Sequence, residues 1–139
     1  LLVPRKQIGF ICRRFNPDRI AAIKAQYGPS IFITCGKSAD LDNIQIDNWN
    51  CTIFATSGIN ITATANATVV QLPVETFDTN NYLAASDIII AKAGWGTISE
   101  ALLSKRNLVL IEREGVLEDT ENIEELKRRG VTVSIKESD

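Results

Sequence analysis

The chain has 139 residues, of which 45% are hydrophobic, and a formal net charge of −2. This length suits one domain that buries about two-thirds of the surface of its unfolded form. The charge balance argues against nucleic acid as a partner, because no basic stripe is present to neutralise phosphates. No apolar run approaches the roughly 20 residues of a membrane span. The absence of histidine excludes an imidazole base, a Ser–His pair and a histidine metal site in this chain.

The three cysteines, Cys12, Cys35 and Cys51, are odd in number and lack C-x-x-C spacing. This usage favours reduced thiols, and we therefore expect a cytoplasmic protein. The first six residues are too short an apolar stretch for a signal peptide, since they become charged at once. Because the chain contains no methionine, we expect it to be part of a longer protein.

The first regular elements are predicted between residues 7 and 36. Residues 7–12 form an apolar run that predicts a strand or an interdomain connector. A helix then begins with Asn16 as its cap and Pro17 in its first position, and Gly28 ends it. We expect the apolar side of this helix to consist of Ile20, Ala21, Ile23 and Tyr27. Residues 30–35 predict a buried strand, and Gly36 after it is a candidate for a phosphate-facing loop.

The segment from residue 41 to residue 85 is less regular. Residues 41–46 predict a short helix, and residues 50–56 and 68–72 predict strands. Between those strands, residues 59–67 show no clear period, which indicates a loop with some extended structure. Residues 76–85 predict a helix whose inward side chains are Phe77, Leu83 and Ala84.

The stretch from residue 84 to residue 106 has the clearest pattern. Residues 88–91 are a continuous apolar run, which is typical of a strand buried on both faces of a parallel sheet. Gly94 and Gly96 break this strand, since they allow unusual backbone angles and a close approach to the main chain. A helix is predicted from Thr97, with one face consisting of Ile98, Ala101, Leu102 and Lys105.

A glycine turn at the carboxyl end of a parallel strand directs the N–H groups of the next helix into the crevice where α/β sheets bind ligands. Those donors and the helix dipole suit phosphate. Thr97 and Glu100 have two interpretations. They form a capping box, or Glu100 binds a vicinal diol beside the phosphate, each carboxylate oxygen accepting one O–H. Their spacing leaves both interpretations open.

The last third of the chain continues the alternation of strands and helices. Residues 107–111 and 131–135 predict strands, and residues 118–129 predict a helix with acids early, bases late and Gly130 as its stop. Alternating strands and helices predict right-handed βαβ units. The expected fold is therefore α/β, with a doubly wound parallel sheet in three α/β/α layers.

The segment from Asp87 to Leu102 reads D-x-x-I-x-K-A-G-x-G-T-x-S-E-A-L. It resembles the donor-site signature of GT-B glycosyltransferases, in particular that of the murein N-acetylglucosaminyltransferase and the family 28 C-terminal domain. The resemblance implies the Rossmann-like donor half of a GT-B fold, which binds a nucleotide sugar, a UDP-sugar by analogy, for transfer of a hexosyl group. In the family, the turn and helix hold the diphosphate, and the glutamate at the position of Glu100 bonds the ribose. The contacts it implies around the diphosphate are Gly36, Ala93, Gly94, Trp95, Gly96, Thr97 and Glu100.

The resemblance implies further contacts at two places where other interpretations stay open. Leu72 and Pro73 would flank the base, but an end-of-strand leucine is equally typical of a core. Many family members carry Asp-Gln-x-x-Asn where this chain has Glu118, Asp119 and Asn122. Asp119 stands where those family members have glutamine, and a carboxylate lacks the N–H donors of the glutamine amide. The identity of the sugar is therefore left open. Acids at a helix start also occur without any ligand.

The resemblance also implies an organisation for the parent protein. Residues 1–15 would be the connector from an absent N-terminal domain, and residues 16–139 the donor-binding domain. The absent domain would bring the acceptor and the general base, so this chain would hold no catalytic residue and be inactive alone. Neither a metal nor a cofactor is expected, and association of the parent protein with a membrane is left open.

Two other classes of function fit parts of the sequence. In the first alternative, the chain is a non-catalytic or regulatory half that a partner chain completes. Alternatively, Gly94-x-Gly96-x-x-Ser99 followed by Glu112 imitates an NAD or FAD fingerprint. The third glycine of that fingerprint is missing, and strands precede the motif. Both features argue against a dinucleotide.

Overall fold

The computed structural model describes residues 12–35, 43–63, 66–113 and 115–136. The helices in these ranges are α1 (Pro17–Tyr27), α2 (Thr79–Ala85), α3 (Trp95–Leu103) and α4 (Leu117–Arg128). The strands are β1 (Ser30–Thr34), β2 (Asn43–Ile46), β3 (Thr52–Ala55), β4 (Asn60–Ala63), β5 (Thr68–Gln71), β6 (Ile88–Lys92), β7 (Asn107–Glu112) and β8 (Val133–Lys136).

Six of the strands form one parallel sheet in the order β5-β3-β1-β6-β7-β8. Numbered along the chain within this sheet, the order is 3-2-1-4-5-6, which is that of the Rossmann fold. The direction of winding reverses between β1 and β6, where Phe32 pairs with Ile89. The predicted doubly wound parallel α/β sheet is confirmed, and the reversal marks the place where such sheets bind ligands.

The two faces of the sheet are covered differently. Alternate residues of β6, Ile89 and Ala91, point to the face on which the helices pack, and both are fully buried. Ile88 and Ile90 point to the opposite face, where β2 and β4 pair as a separate parallel ribbon. Among the described residues, this ribbon takes the place of helices as the third layer expected in the α/β/α arrangement, and residues 43–46 of the helix predicted over 41–46 are part of it.

That helix prediction is wrong because the local pattern has the period of a strand. Asn43-Ile44-Gln45-Ile46 alternates polar and apolar residues, which places Ile44 and Ile46 on one face of an extended chain. Both pack in the core beneath the ribbon, and Ile44 pairs with Ile61 of β4. The extended structure expected within residues 59–67 is present as β4.

Helix α1 starts as predicted. The Asn16 side chain accepts hydrogen bonds from the N–H groups of Asp18 and Arg19, and the chain turns at Gly28 with φ +69°. Ile23 is buried, but Ala21 is exposed, so its assignment to the apolar side is wrong. Its position two residues before Ile23 places it about 200° away around the helix.

Helix α2 is shorter than predicted, and this changes the position of Phe77. The helix starts at Thr79, so Phe77 precedes it, and its side chain is 87% exposed rather than inward. Leu83 and Ala84 are buried, as predicted. No helix within the described ranges has the length and apolar character needed to cross a membrane.

Candidate functional site

The turn between β6 and α3 lies at the carboxyl edge of the sheet, beside the reversal of winding. β6 ends at Lys92, and Gly94 is the N-cap of α3 in an extended conformation. The helix therefore begins at Trp95, two residues before the predicted start at Thr97. Gly94 has no side chain, and no described side chain caps α3, whereas Asn16 caps α1. The start of α3 thus exposes main-chain donors of the kind that bind anions.

The two glycines of this turn have ordinary backbone angles. Gly94 has φ −90° and ψ 132°, and Gly96 lies within the helix, so the expectation of unusual angles is wrong. A Cβ on Gly96 would meet no described atom within 4 Å, and one on Gly94 would meet only Lys92 Cε, at 3.9 Å. The glycines therefore leave open space over the first turn, which permits close approach to the main chain.

Thr97 and Glu100 do not form a capping box. Thr97 is the third residue of the helix rather than its cap, and Glu100 lies in the second turn. Glu100 is 8% exposed, and its Oε1 accepts a hydrogen bond of 2.9 Å from Arg13 Nε. The carboxylate is thus paired with a residue from the segment before α1, and its role toward a ribose stays a prediction.

The start of α4 lies beside the same turn. Asn122 Nδ2 donates to the carbonyl oxygen of Ala93 at 3.5 Å, which brings the second turn of α4 to the end of β6. Val116 is the N-cap of α4, and in the described part of the chain no side chain caps this helix either. Glu118 and Asp119 lie in its first turn, but their side chains fall outside the described atoms.

Of the two residues predicted to flank the base, one is buried and the other is exposed. Leu72 is 4% exposed and belongs to the core on the helix side of the sheet, which is the second of its two interpretations. Its main chain continues the pairing of β5, since Leu72 N donates to the carbonyl oxygen of Ala55 at 2.8 Å. Pro73 is exposed, and Trp95 is 45% exposed at the start of α3. Gly36 lies outside the described residues.

The sequence did not predict a row of hydrogen-bonded polar residues along the same edge of the sheet. Thr56 Oγ1 donates to Thr34 Oγ1 at 3.1 Å, and Gln71 Nε2 donates to the Thr56 carbonyl oxygen at 2.9 Å. These residues end or follow β1, β3 and β5. Their signal is a polar side chain at the end of an apolar strand, and only the order of the strands shows that they are neighbours.

One thiol lies close to the Glu100 carboxylate. The pKa of Cys12 is raised above its ordinary value by burial and then by the negative charge of Glu100, with an opposing effect from Arg13.

Within the described ranges, no group of three or more Cys, Asp or Glu side chains is arranged to hold a metal ion. The donors gathered at this edge are main-chain N–H groups and uncharged polar side chains, which suit a phosphate-bearing ligand.

The sequence profile of the glycosyltransferase family 28 C-terminal domain matches residues 21–139. No curated protein matches the sequence significantly. Among solved structures, the chain resembles the glycosyltransferase SnogD from Streptomyces nogalater, with 19% identity, a TM-score of 0.53, and coverage of 78% of this chain and 31% of that one. It also resembles the glycotransferase of kitacinnamycin, with 15% identity, a TM-score of 0.55, and coverage of 97% and 34%.

These structural similarities concern the fold, because their sequence identities are low. The chain spans about one-third of the length of each of these two structures. The family profile covers all of the sheet and the β6–α3 turn that was described above. The chain therefore belongs to glycosyltransferase family 28, as its C-terminal domain.

Proposed function

We propose that this domain binds the nucleotide-sugar donor of a hexosyltransferase, and that the donor is a UDP-sugar. The observation that carries the proposal is the start of α3, where a glycine N-cap and an open first turn lie beside the reversal of the sheet. In open α/β sheets, ligands bind at this place, and helix starts of this kind bind phosphate.

The diphosphate would lie over Gly94, Gly96 and Thr97. The main-chain N–H groups of Gly96 and Thr97 and the positive end of the helix dipole would stabilise the charge that develops as the diphosphate leaves. The N–H of Gly94 already donates to the carbonyl oxygen of Lys92 at 2.8 Å. The groups are held in place by the sheet and by Ser99, whose hydroxyl donates to the Trp95 carbonyl at 2.7 Å. Little reorganisation is therefore needed during the reaction, and this is the condition for strong electrostatic catalysis.

The remainder of the donor would lie on either side of the diphosphate. Glu100 would accept hydrogen bonds from the ribose hydroxyls, Trp95 would lie beside the diphosphate, and the exposed Pro73 would lie toward the base, whereas the side chain of Leu72 belongs to the core. The sugar would lie near the start of α4, where the carboxylates of Glu118 and Asp119 would accept hydrogen bonds from its hydroxyl groups and the amide of Asn122 would donate one. Two acids and one amide at these positions favour a sugar rich in free hydroxyl groups.

The other parts of the reaction would belong to the rest of the protein. We propose that residues 1–15 connect to an N-terminal domain that supplies the acceptor and the general base, so that this chain alone transfers no sugar. No metal or cofactor is required by the proposal, and the location would be cytoplasmic. Because that N-terminal domain would supply the other half of the cleft, the affinity of this chain for UDP is expected to be weak, with Kd on the order of 0.1–1 mM.

A thermal-shift titration tests this proposal. With a Kd of about 1 mM, 10 mM UDP stabilises the native state by about 1.4 kcal/mol. For a domain of this size, that raises Tm by roughly 3–5 °C. NAD and FAD serve as controls. Stabilisation by a dinucleotide alone would support the dinucleotide alternative, and no response to any nucleotide would support a non-catalytic role.

A further inference from the structure

We propose that Arg13 is a positioning residue for Glu100, and that it sets the carboxylate in the orientation that recognises the donor's ribose hydroxyls. The inference rests on the proposed function, since it assigns a further residue to the same site. It places part of the recognition of the donor on the segment before α1. That segment lies outside the stretch that the family profile matches.

The guanidinium of Arg13 uses each of its three nitrogens on a different partner. Nε donates to Glu100 Oε1 at 2.9 Å, Nη1 to the carbonyl oxygen of Phe77 at 3.1 Å, and Nη2 to Thr79 Oγ1 at 2.9 Å. The last two partners lie at the start of α2, so the guanidinium is held from one side while it holds Glu100 on the other. A planar fork with fixed donors makes such an arrangement possible, and a lysine ammonium does not reproduce it.

The main chain around Arg13 is also anchored. Asn80 Nδ2 donates to the carbonyl oxygen of Arg14 at 3.0 Å, and Asn81 Oδ1 accepts from the N–H of Asn16 at 2.9 Å. Asn80 and Asn81 are only 3% and 5% exposed. Two buried amides therefore fix the segment immediately after Arg13 to α2, next to the two α2-side partners of the guanidinium.

The pairing leaves Glu100 able to bind a ligand. A carboxylate has about four acceptor positions on its two oxygens, and the bond from Arg13 Nε occupies one of them. A glutamate side chain has several rotatable bonds, so an unpaired carboxylate would sample many orientations. Holding one oxygen fixes the direction of the other, which is how binding groups are positioned by their neighbours.

The test compares UDP with 2′,3′-dideoxy-UDP in the 139-residue chain. In the unaltered chain, UDP should bind about tenfold more tightly than the dideoxy analogue, since hydrogen bonds to a charged group are lost. In Arg13→Gln and Arg13→Lys, affinity for UDP should fall toward that of the analogue, while affinity for the analogue changes less than about twofold. Arg19→Gln is the matched control, because Arg19 bridges to Asp78 and Tyr82 without contacting Glu100.

A double-mutant cycle separates positioning from general stability. In a Glu100→Gln background, Arg13→Gln should not change the ratio of the two affinities further, because the group through which Arg13 acts is gone. Equal losses for both nucleotides, unchanged discrimination, or tighter UDP binding in Arg13→Gln would each overturn the inference. Absence of discrimination in the unaltered chain would instead contradict the proposed role of Glu100. If Arg13→Gln unfolds, Arg13→Lys provides the same comparison.

Discussion

The replacement Gly96→Ala distinguishes the effect of this glycine on the free energy of unfolding from its effect on ligand binding at the β6–α3 turn. Gly96 lies within the first turn of α3, its backbone is helical, and a Cβ there would meet no described atom within 4 Å. Alanine is favoured over glycine in a helix by about 1 kcal/mol in its interior, and by less in the first turn. We therefore expect the free energy of unfolding to rise by about 0.5 kcal/mol, which corresponds to roughly 2 °C in Tm.

The same substitution should weaken nucleotide binding. The added methyl group would occupy the open space through which, in the proposed binding mode, a phosphate would approach the N–H groups of the first turn. Loss of one such hydrogen bond to a charged group costs at least about 1.4 kcal/mol, so Kd for UDP should rise about tenfold. A variant that is more stable but binds less is the expected result.

Chemical denaturation and a UDP titration monitored by Trp fluorescence measure the two effects. Gln26→Ala on the exposed side of α1 is the control, since it changes helix propensity far from the site and should leave Kd unchanged. Destabilisation of Gly96→Ala by more than about 1 kcal/mol would show that the site has no room for a methyl group. Unchanged UDP affinity would show that phosphate does not approach this turn.

Three further predictions concern Cys12, Glu125 and Asn16. Because burial and Glu100 raise the pKa of Cys12, its alkylation should be slow at pH 8 and faster in Glu100→Gln, as measured by peptide mass spectrometry; equal rates would contradict this assignment. Arg129 and then Arg128 lower the pKa of Glu125, so its contribution to stability should be complete above pH 4.5 and lost as the pH falls below it. Denaturation curves of Glu125→Gln should lack that component, and an unchanged acid dependence would refute it. Replacing the N-cap in Asn16→Ala should cost about 1 kcal/mol, whereas Asn16→Asp should retain most of the stability; equal losses would show that the cap is unimportant.

Local signals determined much of the fold. The cap at Asn16, the buried strand of residues 88–91 and the glycine turn after it each depend on neighbours within a few positions. Such patterns indicate elements because backbone capping and side-chain alternation repeat over one or two turns. The helix prediction failed at residues 43–46, where four residues of strand alternation were too few to distinguish from a helix.

The sequence by itself determined the alternation of strands and helices and located the glycine turn on which the proposed function rests. Only the tertiary structure decided the partner of Glu100, because Arg13 is 87 positions away and its approach depends on how α2 and α3 pack. Likewise, Thr34, Thr56 and Gln71 become neighbours only through the order of the strands. The physical reason is that local geometry is set by adjacent residues, whereas contacts within a site depend on which distant segments the sheet brings together.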